Sequence, residues 1–343
     1  MKEFFYKILE NFNVEYVSTN VRLYGKGLIH KTWLVTTPSG KFILQQINTG
    51  IFNPQDIEFN LSKIIRFFEE FYPGYKTIEP LYGLQGMILS IPEGSFRMFN
   101  YLENSYTMEM VTSPQIAWEA SVNFAGFVHK LIPLDAETIR PAIPHFHDLI
   151  FRHKQYVNAL NTGDLQRIKE GEMAIKWISR YQHILNKYDD IVKKNLFAKR
   201  IMHHDTKISN ILFDKGGKGI CVIDLDTVMP GYFISDLGDM IRSYVSPVNE
   251  EENNLDKIQV RQDFLEAIKE GYLSAMGNSL SAIEKDHFLY SGQCMIYMQA
   301  LRFLTDHFNK DIYYGANYEG HNLNRTLNQL TLLDRLTEIA HSS

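Results

Sequence analysis

The stretch from Ile201 to Asp239, IMHHDTKISNILFDKGGKGICVIDLDTVMPGYFISDLGD, constrains the chain more than any other. Ile211 to Phe213 and Ile220 to Ile223 are short apolar, β-branched runs separated by Lys215-Gly216-Gly217-Lys218-Gly219. That pattern reads as a hairpin with a glycine-rich loop. Asp205 and Asn210 precede the first run, and Asp224 leaves the second. Because a hairpin returns the end of its second strand to the start of its first, Asn210 and Asp224 are expected to share one cation, with Asp205 nearby. Phosphoryl transfer needs that grouping.

Hard oxygen ligands with only one or two carboxylates suit Mg²⁺, which keeps several waters and takes its remaining ligands from substrate phosphates. Zinc fits poorly. His203 and His204 are adjacent, so in an extended segment they point to opposite sides and cannot both join Asp205 on one metal.

His203-x-Asp205-x-x-x-x-Asn210, followed by Ile223-Asp224 and then Asp236-Leu237-Gly238-Asp239, resembles the catalytic loop and metal-binding strand of the protein-kinase-like fold. Its form is similar to the aminoglycoside phosphotransferase and choline kinase branch. Protein kinases insert a long activation segment, ending in A-P-E, after the metal-binding Asp. Here Asp224 is followed within a few residues by Pro230, Gly231 and the Asp236 cluster. No room is left for a peptide platform, which favours a small-molecule acceptor.

The chain has 343 residues and a formal net charge of -5, with its charges interspersed. No basic stripe for nucleic acid or an anionic membrane surface is present. Cys221 and Cys294 are the two cysteines, both in apolar surroundings, and read as packed thiols rather than a disulfide. No apolar run approaches a membrane span, and MKEFFYKILENFNVEY mixes charges into its apolar residues. The expectation is a cytoplasmic protein.

Phe4, Phe5, Ile8, Leu9 and Phe12 lie at helical spacing. From Tyr16 to Asn48 the pattern becomes a three-stranded meander, with Gly25 and Gly27 in its first turn and Pro38-Ser39-Gly40 in its second. Gly25-x-Gly27 either lets backbone amides approach phosphates or serves only the turn. Asn53-Pro54 opens a helix as N-cap and first residue, and Ile57, Leu61, Ile64, Ile65 and Phe68 form its apolar stripe. Strand-like segments follow around Tyr82, over Met87 to Ile91 and over Phe96 to Leu102.

From Ser113-Pro114 onward the chain reads as mostly helical, with Ile116, Ala120, Phe124, Phe127, Val128 and Leu131 on one core face. His145-Phe146-His147-Asp148 and Arg152 form either a sugar-binding loop or an ordinary polar surface loop. A polar helical stretch spans roughly Asp164 to Lys194. Further helices cover Arg261 to Leu273 and a run from the capping box at Ser281 through Met295 to His307; the last carries Leu323, Leu327, Leu330 and Leu333.

Over nearly its full length the chain resembles the N-acetylhexosamine 1-kinases, anomeric sugar kinases of the same branch. The likeness lies in His203 to Lys207 with Asn210, Gly27-x-x-His30, Phe42 to Asn48, Phe146-His147-Asp148 with Arg152, and Arg302 to Tyr314. It implies an α+β, bilobal fold: a small β-rich nucleotide-binding lobe over residues 1–98 and a larger, mostly helical lobe over 99–343. Asp205 would be the base on the anomeric hydroxyl, and Asn210 and Asp224 would hold Mg²⁺. Gly25 and Gly27 would belong to the loop over the phosphates of ATP, with adenine against Phe99, Tyr101 and Leu102. His30, Arg302 and Tyr314 become sugar-pocket candidates alongside His147 and Arg152, and Lys207 is placed to offset charge on the transferred group.

One departure stands out. Where the wider fold carries a phosphate-binding lysine this chain has Gln45 and Gln46, which can still donate a neutral hydrogen bond, and Glu58 loses its usual ion-pair partner. Two alternatives stay open: the same mechanism on choline, ethanolamine, an aminoglycoside or another sugar, and a non-catalytic nucleotide or sugar sensor. Amine acceptors call for an acidic or aromatic pocket, which His30, His147, Arg152 and Arg302 do not supply.

Overall fold

Local signals start the helices. The Asn53 side chain accepts from the Gln55 N–H and Ser113 from the Ile116 N–H, each with Pro as the next residue, and Ser281 and Glu284 close a reciprocal capping box. A computed structural model describes residues 2–15, 19–25 and 29–342. In chain order its main elements are α1 (Lys2–Asn11), β1 (Asn20–Leu23), β2 (Lys31–Thr37), β3 (Gly40–Ile47), α2 (Pro54–Phe71), β4 (Leu89–Ile91), β5 (Gly94–Asn100), β6 (Ser105–Tyr106), α3 (Pro114–Leu131) and α4 (Leu149–Thr162). Then come α5 (Leu165–Glu170), α6 (Glu172–Arg180), α7 (Gln182–Lys193), β7 (Arg200–Met202), β8 (Ile211–Asp214), β9 (Gly219–Val222), β10 (Met229–Gly231), α8 (Phe233–Tyr244), α9 (Gln262–Met276), α10 (Ala282–Asp286), α11 (Phe288–Phe308) and α12 (His321–Ser342).

Two compact units result. The first takes Met1–Tyr106, Glu137–Pro144 and Leu212–Val228; the second takes Thr107–Ala136, His145–Ile211 and Met229–Ser343. The β-rich unit thus runs past residue 98 and takes in two later segments.

In the first unit a five-stranded sheet has the order β1-β2-β3-β5-β4, antiparallel throughout. The predicted meander is there, its first strand starting at Asn20. Phe5, Ile8, Leu9 and Phe12 of the α1 segment pack with Trp33, Val35, Leu44, Phe96 and Met98 on one side of the sheet. Each such buried side chain contributes about 1.5–3 kcal/mol relative to exposure. The predicted stripe of α2 is buried along its length. A small sheet of order β6-β8-β9 contains the expected hairpin. Asp214 closes its turn by accepting from the Gly216 and Lys218 N–H groups.

The second unit is helical apart from the β7–β10 pair. α3 lies along α9, and α11 is flanked by α4, α8 and α12. At Gly271 of α9 a Cβ would come within 2.7 Å of the Trp118 carbonyl, so the α3–α9 approach requires a residue without a side chain. Among the described residues no helix is long and apolar enough to cross a membrane.

The polar stretch from Asp164 is helical as expected, in three helices that meet at Gly171 and Tyr181. Two expectations need correction. Around Tyr82 there is no strand, only isolated bridges from Pro80 to Phe99 and from Gly83 to Gly86, because the chain turns back on itself there. The helix expected from Ser281 to His307 breaks at His287, whose ring bonds the Ile283 carbonyl and packs on Phe197 and Tyr290.

Candidate active site

In the second unit β7 delivers the chain into the segment His203 to Lys207, and α8 grips it. Both carboxylate oxygens of Asp236 accept backbone N–H groups, from His203 at 2.9 Å and His204 at 2.7 Å. One turn further along α8, Asp239 accepts from the Thr206 N–H at 3.0 Å, and the Tyr244 hydroxyl donates to the Thr206 carbonyl. Asp239 is itself held by Arg242, which also pairs with Glu250. The Asp-Leu-Gly-Asp spacing therefore has a local explanation. The two acids lie on one helical face toward the loop, and at Gly238 a Cβ would come within 2.3 Å of the Ser291 carbonyl on α11. Burial pushes the Asp236 carboxyl up to about 6, with the His203 and His204 N–H bonds pulling the other way.

His203 and His204 are not ligands. His203 is fully buried, edge-on to Phe124, while His204 turns the backbone through φ +64° with its Nδ1 on the Met202 carbonyl. That turn leaves Asp205 partly exposed at the loop's tip. Its Oδ2 accepts from Asn210 Nδ2 at 3.0 Å and pairs with Lys207 Nζ at 3.1 Å. Asn210 Nδ2 also donates to the Asp205 carbonyl at 2.9 Å, and the Asn210 Oδ1 accepts no hydrogen bond among the described residues. With its nitrogen anchored, the carboxamide presents its oxygen.

Beside this loop lies a second cluster in the same unit. The His147 ring is 5.3 Å from that of His204 and stacks on Phe146 at 4.4 Å. Asp148 caps α4 and bonds His145. Arg152 donates to the Phe146 carbonyl and to Gln155. From α11, Arg302 bonds Gln299 and lies 5.2 Å from the Phe146 ring and 5.4 Å from the Tyr314 ring. Asp306 accepts the Tyr313 and Tyr314 N–H groups, fixing that turn, and the Tyr314 hydroxyl accepts from Gln299.

Among the described residues neither Arg152 nor Arg302 forms an ion pair, and Nδ1 of His147 is buried without a hydrogen-bond partner. Burial, and then the nearby Arg302, pull the Arg152 guanidinium down to about 10. His147 is held neutral, well below its ordinary range, by burial first and then by His204, Arg302 and Arg152.

The first unit carries the remaining expected residues. Asp224 follows β9 in the left-handed conformation, φ +59°. Gly25 has φ +74° and open space where a Cβ would stand, while Gly27 lies outside the described residues. Phe99 is buried in β5; Tyr101 lies under Lys41 and edge-on to Tyr24. In this linker Asn100 N–H goes to Glu79 and Tyr101 N–H to Lys41. The Leu102 N–H has no partner among the described residues.

His30, expected in the sugar pocket, has both ring nitrogens committed inside this unit. Its Nε2 meets Asp226 at 2.8 Å and its Nδ1 accepts from the Asn48 N–H at 3.2 Å. Gln45 and Gln46 point to opposite faces of β3, as strand alternation requires. Gln46 donates one N–H to the Glu93 carbonyl, while Gln45 donates one to the Thr32 hydroxyl and accepts from Arg97 Nε. Glu58 has exchanged an ion pair for a backbone N–H, that of Met87 at 2.8 Å.

Sequence reasoning missed the buried pair of Arg97 with Asp226. Its traces were a charged residue inside the apolar Phe96-Arg97-Met98-Phe99 and a second acid two residues after Asp224.

Asn210 in the second unit and Asp224 in the first are each an oxygen donor of the hard kind that suits Mg²⁺. Both cysteines are buried and free, with burial pushing each thiol up to about 12.

A family model described as the phosphotransferase enzyme family matches residues 20–275. A microcompartment-associated aminopropanol kinase has a similar structure, with 14% identity, a TM-score of 0.69, and 99% of this chain and 98% of that one covered. Choline kinase LicA from Streptococcus pneumoniae matches at 13% identity and TM-score 0.58, over 97% of both chains. A spectinomycin phosphotransferase solved with ADP and spectinomycin matches at 13% identity and TM-score 0.60, over 93% of both. At these identities the likeness is one of fold, and the fold is kinase-like.

Proposed function

The chain belongs to the phosphotransferase enzyme family, and we propose that it transfers the terminal phosphoryl group of ATP to the anomeric hydroxyl of a free N-acetylhexosamine. The observation that supports this acceptor class is the pair of guanidiniums, Arg152 and Arg302, set without a carboxylate partner among Phe146, His147 and Tyr314. An ammonium acceptor, of the kind named for the aminopropanol and choline kinases, would be repelled there. A polyhydroxylated ring instead finds charged donors, a neutral imidazole and aromatic faces.

Asp205 accepts the proton of the attacking hydroxyl through the oxygen that Asn210 does not hold. As the new O–P bond forms, the bond from the γ-phosphorus to the bridging oxygen breaks and ADP leaves. Lys207, paired with Asp205, lies near enough to the base to offset charge on the moving group. Asn210 and Asp224 would hold Mg²⁺, which neutralises charge on the phosphate oxygens when bound. The unpaired Leu102 N–H is the linker donor for adenine.

Incubation with ATP and N-acetylglucosamine or N-acetylgalactosamine, followed by phosphorus-coupled NMR, tests the reading. The 1-phosphate is the expected sole product, and methyl glycosides should bind without reacting. A 6-phosphate, or turnover of choline or an amino alcohol in place of the sugars, would overturn the assigned acceptor.

A further inference from the structure

Arg97 lies in the middle of β5 with 2% of its surface exposed. A cation so buried needs partners that match its shape. Its Nη1 and Nη2 fork onto the two oxygens of Asp226 at 2.5 and 2.9 Å, and its Nε donates to Gln45 Oε1 at 3.0 Å. Gln45 is its cross-strand neighbour on β3, at the place where a lysine is missing. A third donor reaches Asp226 from His30. Because the Asn48 N–H occupies Nδ1, the proton of the neutral ring sits on Nε2 and points at the carboxylate.

Ligand atoms of His30, Asp224 and Asp226 all lie within 4.8 Å of one another. They do not form a three-residue metal site, since His30 has both nitrogens engaged and Asp226 is neutralised by a guanidinium. Of the three, Asp224 is the one read above as a metal ligand. Its left-handed backbone is uncommon outside glycine and costs about 1–3 kcal/mol, so surrounding contacts have to hold it.

We propose that Arg97 is a positioning residue for Asp224. By neutralising Asp226 and tying it to β3 through Gln45, it keeps two neighbouring carboxylates from repelling each other or dividing one cation between them. His30 completes the clamp. The inference rests on the reading of Asp224 as a metal ligand and is independent of the acceptor.

The test is Mn²⁺ binding in the presence of ADP, followed by electron paramagnetic resonance, with metal-free ADP affinity measured by calorimetry. R97M/D226N removes the pair without stranding a buried charge, R97K keeps the charge but loses the fork, and D224N is the control. In folded R97M, which leaves the Asp226 carboxylate beside Asp224 without its guanidinium, Mn²⁺ affinity should fall about 10–100-fold, as is usual when a residue supporting a ligand is lost. R97M/D226N, in which that carboxylate is also gone, should recover most of the loss, and metal-free ADP affinity should stay near wild type in both. R97K should fall part of the way and decides the matter if R97M does not fold. Adding Q45K to R97M returns a cation to β3 and should recover affinity. Wild-type Mn²⁺ affinity in R97K and R97M, with D224N weakened, would overturn the role of Arg97 alone. Unchanged affinity in D224N would overturn the assignment of Asp224 as well.

Discussion

The carboxamide nitrogen of Asn210 donates to both the carbonyl and the carboxylate of Asp205, at 2.9 and 3.0 Å. One side chain therefore orients the proposed base through its nitrogen, and its oxygen is the atom proposed to meet the cation. Asp205→Asn should lower kcat by about 10²–10⁴ and leave the Mg²⁺ dependence unchanged, because only proton acceptance is lost. Asn210→Ala should lower kcat and shift the Mg²⁺ titration together. A Mg²⁺ titration of turnover for the two variants checks this; matching metal dependence would show that Asn210 is no ligand.

The Asp236 carboxylate replaces loop hydrogen bonds that water cannot supply inside the protein. Asp236→Ala strands two buried N–H groups, each costing about 1–3 kcal/mol, and should unfold the catalytic loop before the rest of the unit. Hydrogen exchange at His203 and His204 reads this directly.

Asp236 also sets a pH dependence. Its folded carboxyl titrates near 6, above the ordinary value of 3.8, so the folded state binds the proton more tightly. The stability this group contributes is full below about 4 and is lost as pH rises through about 6, an effect on the order of 3 kcal/mol for a two-unit shift. Denaturant unfolding between pH 4 and 7 should show that slope in wild type and its absence in Asp236→Asn.

His147 acts with the opposite sign. Held neutral in the folded protein, it binds its proton less tightly than in the unfolded chain. Its contribution is therefore full above the ordinary value of 6.5 and falls as the pH drops below it. His147→Gln should flatten the loss of stability between pH 7.5 and 5.5, measured as the difference in unfolding midpoint from wild type.

Arg302→Ala should raise the KM for the sugar about 10–100-fold, the size of a lost hydrogen bond to a charged group, and leave the KM for ATP nearly unchanged. Steady-state kinetics in both substrates separates the effects. An equal rise in both would place Arg302 outside the acceptor pocket.

What was legible in the linear chain was local in origin. The caps at Asn53, Ser113 and Ser281 involve residues two or three positions away, and the glycine-rich turn between β8 and β9 closes on Asp214. The contact of Asn210 with Asp205 spans five positions. Such features follow from backbone geometry over one turn or one hairpin, so spacing alone predicts them.

The long-range pairings were not legible. Arg97 meets Asp226 across 129 positions, and His30 meets it across 196. Nothing in their neighbours announces a partner, so His30 was expected at the sugar, Gln45 at a phosphate and Glu58 without a mate. Packing gives each of them a partner within the protein. A buried charge or amide must find its complement within the interior, and which group lies within 3 Å depends on how strands register and which segments the sheet brings alongside. The residue types disclosed the chemistry available to this chain; the tertiary structure decided which of them are engaged in holding the fold and which remain to act.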